Sequence, residues 1–353
     1  MSWYAYARTP HGHLLERSGL DFEDFQVGQR FVHRPGITVS QQDNVDEALD
    51  TLNGAMLHYD HHYAAHTQWK RPLMVSTLTL QQFLGMSSAT FARRQRVERF
   101  ASISMTAPVY GGDTLYAESE ILELQEDDHQ DAGRVVVRCQ GLKQDGTVVA
   151  RFTYDARVWR RGCGPIHSPP GVGALTQVQE ERFLSYRQDG AARWVEQSGM
   201  FFEDFRAGES FLHWPCKTLT TPDGRQRAWR SRDWSPQFHD SAWMADQGAG
   251  QPLLPQAWVL GIATALTTRS FGRVSSNLGW HDVELHHDAT AGDTLRAQST
   301  VLEQRLSRSR PHEGILTVQT RAFDQTQRLV LSFVRDLLVY KRSAASPYAA
   351  AGY

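Results

Sequence analysis

The sequence predicts an α+β fold built twice in tandem, each copy an antiparallel sheet wrapped around one long central helix. Three observations carry this. The segment GLDFEDFQVGQRFVH beginning at Gly19 returns as GMFFEDFRAGESFLH beginning at Gly199, and GDTLYAESEILE beginning at Gly112 returns as GDTLRAQSTVLE beginning at Gly292, both at an offset of 180. A fixed offset across separate segments marks an internal duplication. Each copy carries a helical run in its first half, and segments alternating with a period of two follow it.

In the first copy PLMVSTLTLQQFLG, residues 72–85, is apolar on most faces and bounded by Pro and Gly, as a buried helix requires. ASISMTAPV, DTLYAESEILELQ, RVVVRCQGLK and TVVARFTYDARVW then alternate in polarity and carry β-branched residues, so they read as antiparallel strands. One buried helix followed by a run of strands argues for a sheet wrapped around that helix. This is the hotdog arrangement, and two of them in one chain make a tandem double hotdog. VVARFTYDARVWRR, ending at Arg161, matches LVLSFVRDLLVYKR, ending at Arg342, with one residue inserted. The copies therefore run over 19–161 and 199–342. The stretch 162–198 opens with a Gly- and Pro-rich sequence and reads as a linker, its residues 182–198 forming a short helix into the second copy. Residues 343–353 read as a flexible tail.

With 353 residues, each copy is long enough to bury its own core. Hydrophobic residues at 41% and charged residues at 22% are ordinary for globular chains and exclude disordered and fibrous classes. A formal net charge of -2 and a pI near 6.7 leave no basic field, so neither nucleic acid nor an anionic membrane is an expected partner. Cys139, Cys163 and Cys216 are odd in number and form no CxxC pair, which fits a reduced, cytoplasmic setting. The N-terminal residues hold no apolar stretch of signal-peptide length, and no segment approaches the ~20 apolar residues of a membrane helix.

The chemistry-bearing segment lies ahead of the helix. The first copy reads LNGAMLHYD there, with Asn53, His58 and Asp60, and the second reads RDWSPQFHD, with Asp233, Phe238 and Asp240. This segment resembles the motif of MaoC-like (R)-specific enoyl-CoA hydratases, Gly-Asp-x-Asn-Pro-(Leu/Ile)-His-x-Asp, with a downstream helix starting at Pro-Ile-(Val/Ala)-His-Gly. On that resemblance Asn53 stands at the catalytic Asp position and His58 at the catalytic His position. Pro72 falls at the family spacing, and Val75 and Ser76 take the His-Gly positions at the helix start. In the second copy Asp233 is the acid and Phe238 replaces the histidine, so neither copy keeps the whole dyad. A double-hotdog subgroup similar to mesaconyl-CoA hydratase carries Asn-x-Ala-x-x-His, which matches Asn53, Ala55 and His58, and its strands resemble this chain through both copies.

The resemblance implies hydration or dehydration of an enoyl- or 3-hydroxyacyl-CoA thioester. Its general base activates a water, a step to which a positioned group contributes roughly 10²–10⁴-fold. His58 would be the acid/base, suited to neutral pH. Asn53 would anchor water or substrate through its amide. The Ser76 N–H would meet the charge that gathers on the thioester oxygen, helped by the helix dipole. Asp60, Val75 and Asp233 would line the substrate site. No metal or redox cofactor is implied, and coenzyme A enters only as part of the substrate, the partner being an acyl-CoA or acyl-carrier thioester.

Plainer readings stand beside these. His58 is otherwise a histidine without a role, Asn53 a turn or cap residue, and Asp233 a helix cap or a partner of Arg232. His58, His62 and His66 share i, i+4 spacing, yet further metal ligands are not evident in the sequence. Arg93, Arg94, Arg96 and Arg99 either meet coenzyme A phosphates or form a solvated face. The rival functions are a non-catalytic acyl-thioester-binding protein, and a thioesterase or tailoring dehydratase on carrier-protein thioesters. Exposed sheet edges predict a homodimer.

Overall fold

The computed structural model describes residues 2–126, 131–165, 172–248, 250–343 and 346–351. In chain order the strands are β1 (Tyr6–Arg8), β2 (Leu14–Glu16), β3 (Arg30–Thr38), β4 (Arg94–Met105), β5 (Thr114–Glu126), β6 (Ala132–Lys143), β7 (Val148–Trp159), β8 (Thr176–Gln177), β9 (Tyr186–Gln188), β10 (Arg193–Glu196), β11 (Ser210–Leu212), β12 (Lys217–Thr218), β13 (Val274–Leu285), β14 (Thr294–Leu306), β15 (Glu313–Phe323) and β16 (Leu329–Tyr340). The helices are α1 (Gln41–Asp50), α2 (His61–His66), α3 (Ser76–Met86), α4 (Thr221–Arg230), α5 (Ser241–Asp246), α6 (Gln256–Ala265), α7 (Thr268–Phe271) and α8 (Pro347–Ala350).

The chain forms two compact units. One contains the described residues of Ser18–Ile166 and Ser185–Gln197, the other those of Met1–Arg17, His167–Leu184 and Ser198–Gly352. The first has a sheet of order β4-β7-β6-β5-β3-β10-β9, and the second a sheet of order β13-β16-β15-β14-β11-β2-β1-β8, with β12 on β14. The fold is α+β, a tandem double hotdog.

In the first unit β5, β6 and β7 alternate buried and exposed residues over most of their length, which turns one face of the sheet onto the helix. Helix α3 buries Leu78, Thr79 and Phe83 on that face. Gly141 on β6 lets the Phe83 ring approach, since a Cβ there would lie 2.1 Å from the ring. The FEDF repeat packs by the same device. Phe22 covers Gly133, and Phe202 covers Gly314 in the other unit, each ring within 2.5 Å of where a Cβ would stand. In the second unit α6 buries Val259 and Ala263 among Leu219, Leu295, Ala322 and Phe333.

The structure departs from the sequence reading in three places. The central helix begins at Ser76 rather than at Pro72 and spans 11 residues. The residues before it are extended because their N–H groups are bonded elsewhere, Met74 to the Val109 carbonyl at 2.9 Å and Val75 to the Asn44 side chain at 2.7 Å. The helix expected over 182–198 is absent. A 3₁₀ turn at Glu181–Phe183 leads instead into the β9–β10 hairpin, and β10 runs parallel to β3. Asp189-Gly190 supplies the turn, with Gly190 at φ +84°. The tail carries α8, capped by Ser346, whose Tyr348 ring lies 6.0 Å from Phe201 and 5.8 Å from Tyr340.

The β9–β10 hairpin reveals an earlier start to the duplication. Tyr186 to Glu196 matches Tyr6 to Glu16 at the same offset of 180. Each hairpin joins the unit built around the other copy, and each ends in a buried glutamate. Glu196 Oε1 lies 2.8 Å from His33 Nδ1, and Ser119 Oγ lies 2.8 Å from His33 Nε2. In the second unit Glu16 and Ser299 bracket His213 in the same way, both at 2.9 Å. Buried polar groups require such pairing.

Candidate functional site

The site in the first unit begins with α1. Ser40 caps it, accepting the Asp43 N–H while the Asp43 carboxylate accepts the Ser40 N–H. Asn44 and Ala48 are the buried residues of this helix, one turn apart. Leu52, at φ +57°, ends the helical path, and the Asn53 N–H closes onto the Ala48 carbonyl at 2.7 Å. The Asn53 side chain folds into its own turn, its Oδ1 accepting the Ala55 N–H at 3.0 Å. Its amide Nδ2 has no hydrogen-bond partner among the described residues.

His58 closes the 3₁₀ turn Met56–His58 and is half-buried. Its Nδ1 lies 2.7 Å from the Leu73 carbonyl. A carbonyl only accepts, so the proton of this contact sits on Nδ1, and in the neutral ring the lone pair is on Nε2. The backbone around it is tied by two side chains that sequence reasoning missed. The His58 carbonyl accepts from Gln41 Nε2 at 2.7 Å and from Asn44 Nδ2 at 2.8 Å.

Helix α3 starts within the same set of contacts. Val75 is its N-cap residue and is buried, and Ser76 is exposed as its first residue. Among the described residues the Ser76 N–H donates to no acceptor, as first-turn N–H groups of a helix ordinarily do not. The structure therefore joins His58 and the Val75-Ser76 helix start through Leu73 and Asn44. Asp60 sits apart from this set as the N-cap of α2, accepting the Tyr63 N–H at 2.9 Å.

The second unit has lost the arrangement. Gly224 stands where Asn44 does, and a Cβ on it would lie 2.3 Å from a methyl of Leu254. Phe238 is 4% exposed in the place of the histidine. Asp233 accepts the Ser235 hydroxyl at 2.6 Å and its N–H at 3.2 Å, a turn contact. Asp240 caps α5.

The arginine run lies at the start of β4. Arg93 pairs with Asp21 at 2.8 Å, Arg96 with Glu98 at 3.1 Å and Arg99 with Asp155 at 3.1 Å, so three of the four have carboxylate partners within the chain. His62 and His66 meet edge to face at 5.1 Å. Among the described residues no group of three His, Cys, Asp or Glu side chains is placed to hold a metal ion, and no helix is long and apolar enough to cross a membrane.

Residues 187–351 match the family described as mesaconyl-CoA hydratase. The mesaconyl-CoA hydratase of Cereibacter sphaeroides is 33% identical over 156 residues, 42% of this chain and 44% of that protein. That of Haloarcula hispanica is 28% identical over 154 residues, 43% of each. The match thus spans less than half the length of these curated relatives. Among solved structures, a MaoC domain protein dehydratase from Chloroflexus aurantiacus covers 92% of this chain and 98% of its own at 20% identity and a TM-score of 0.40. A Mycobacterium tuberculosis protein described as having a double hotdog fold covers 91% and 99% at 19% identity and 0.38. Over residues 187–351 the chain is similar to the mesaconyl-CoA hydratases. The family match falls on the copy that carries Phe238, whereas His58 lies in the other.

Proposed function

We propose that the protein hydrates or dehydrates an enoyl- or 3-hydroxyacyl-CoA thioester in the manner of a mesaconyl-CoA hydratase, with the working site in the first copy. The observation that carries this reading is the pairing of His58 with a helix start. Its Nδ1 is held by the Leu73 carbonyl, its Nε2 is free to move a proton, and the segment holding it leads directly into the free N–H of Ser76.

In the hydration direction, His58 Nε2 removes a proton from water as the oxygen attacks the β carbon of the enoyl group. Electron density moves onto the thioester oxygen, where the Ser76 N–H and the N-terminal dipole of α3 stabilise it. The proton returns to the α carbon and leaves the 3-hydroxyacyl thioester. Asn53 orients the water through Nδ2, its Oδ1 being held in the turn. Val75 sets the start of α3 ahead of Ser76, Asp60 fixes the chain after His58 by capping α2, and Asp233 is the counterpart of Asn53 in the second copy. Coenzyme A belongs to the substrate, and the reaction requires no metal or redox group. Three free cysteines support a reducing, cytoplasmic setting, and strands that end each sheet among the described residues support a homodimer.

Assay of the purified chain against a panel of enoyl-CoA and 3-hydroxyacyl-CoA thioesters, followed by the conjugated absorbance, tests the reading. His58→Ala is expected to lose roughly 10²–10⁴-fold in kcat, the contribution of a positioned acid/base, while melting near the parent temperature. Turnover unaffected by His58→Ala would remove that residue from the mechanism. Free thiol release would identify a thioesterase instead, and saturable acyl-CoA binding with no turnover in either protein would favour the binding-only alternative.

A further inference from the structure

We propose that Asn44 is a positioning residue for this site, holding the His58 imidazole and the start of helix α3 in register. The inference rests on the reading that His58 and the Ser76 N–H do the chemistry. Asn44 is fully buried, at 0% exposure, and each hydrogen-bonding atom of its amide is engaged. Nδ2 donates to the His58 carbonyl at 2.8 Å and to the Leu73 carbonyl at 3.0 Å, and Oδ1 accepts the Val75 N–H at 2.7 Å. The Leu73 carbonyl is also the acceptor that holds His58 Nδ1. One amide therefore fixes the backbone of the histidine, the anchor of its ring and the residue before Ser76.

The duplication supplies an internal comparison that separates positioning from folding. The second copy has Gly224 in place of Asn44, yet its corresponding backbone is intact. The Leu253 N–H still reaches the Gln237 carbonyl at 2.8 Å, as the Leu73 N–H reaches that of Leu57 at 3.2 Å. The turn and loop thus join without the amide, filled by Leu254 instead. What is missing along with the amide is the histidine, replaced by Phe238. The amide accompanies the imidazole rather than the fold. Asn also suits the task chemically, since it offers two donors and an acceptor in one short planar group.

The test uses the full chain with Asn44→Ala and Asn44→Asp, the latter retaining the acceptor for the Val75 N–H. With a thioester that the parent turns over, kcat is expected to fall on the order of 10²-fold, the scale of a displacement of about 1 Å. KM should change by less than about threefold, because the loss belongs to the transition state. Imidazole ¹H–¹⁵N spectra, with the His58 signals assigned by their loss in His58→Ala, should show a single Nδ1–H tautomer in the parent and a mixture in both variants. A kcat within about threefold of the parent, against the 10²-fold expected of misplacement, would overturn the proposal, as would an unchanged tautomer. If Asn44→Ala, which brings no charge into the site, fails to fold, the residue serves the fold alone and the proposal is likewise overturned. Should the parent turn over no thioester, the functional reading fails, while the imidazole spectra still decide whether Asn44 positions His58.

Discussion

Phe238 occupies the place where the duplication puts the counterpart of His58, at the end of the turn Pro236–Phe238, and is buried there. Placing a histidine there supplies a ring but no anchored neighbourhood. Gly224 offers no amide to the loop carbonyl, and Leu254 fills the space where one would stand. The double variant His58→Ala, Phe238→His is therefore expected to show no recovery of kcat over His58→Ala alone, checked by the same absorbance assay. Recovery would locate a second, differently anchored site in that copy. The contrast also explains what the sequence disclosed. His58, Asn53 and Ser76 were visible because their spacing follows a motif. Asn44 was not, since in QQDNVDE it looks like one more polar residue of a solvated helix. The available signals were its i, i+4 relation to Ala48 on the buried face and the Asn-to-Gly change at the same place in the second copy. Nor does spacing reveal how an amide is used: Asn53 Oδ1 is committed to its own turn.

Among the elements, the helix and the four long strands of each copy follow from periodicity, whereas the hairpins do not. YARTPHGHLLE and YRQDGAARWVE are too short and too polar to announce strands, and only their common offset and their terminal glutamates relate them. Their role is tertiary. Glu196 accepts from the Arg34 N–H at 3.1 Å, contacts His33 Nδ1 and also accepts the Thr90 hydroxyl, and Glu196, His33 and Thr90 are buried. Glu196→Ala would strand these groups, and at ~1–3 kcal/mol for each of the buried partners left unsatisfied it should cost at least ~2 kcal/mol. Urea unfolding reads the loss as a lower midpoint at unchanged slope. Hydrogen exchange should assign it to the unit of β3 and β5, and Glu16→Ala should move protection in the unit of β11 and β14 instead. If both variants loosen the same unit, the hairpins are not partitioned as Tyr6–Arg8 with Leu14–Glu16 on one sheet and Tyr186–Gln188 with Arg193–Glu196 on the other.

At the scale of the whole molecule, the outermost long strand of each sheet poses a problem of its own. Among the described residues β4 pairs within its sheet only with β7, and β13 only with β16. Along β4, Phe100, Ile103 and Met105 are exposed, and along β13 so are Leu278, Trp280, Val283 and Leu285, with Trp280 at 44%. An edge strand that combines unpaired backbone groups with an apolar row invites another edge, and proteins that remain alone ordinarily blunt it with lysine, proline or a bulge. Both strands contain register shifts, but neither carries a lysine or a proline. Cover by another edge strand would satisfy the backbone groups and the apolar row together, and if that strand belongs to a second copy, closed two-fold pairing limits growth beyond the dimer. Sedimentation of the parent should accordingly give twice the 40.0 kDa of one chain. Trp280→Lys with Val283→Lys should shift the protein toward the single chain, because a lysine on the edge opposes strand addition. A parent that sediments as one chain across the concentration range would reject the homodimer, and unaltered dimers of the lysine variant would move the interface away from β13.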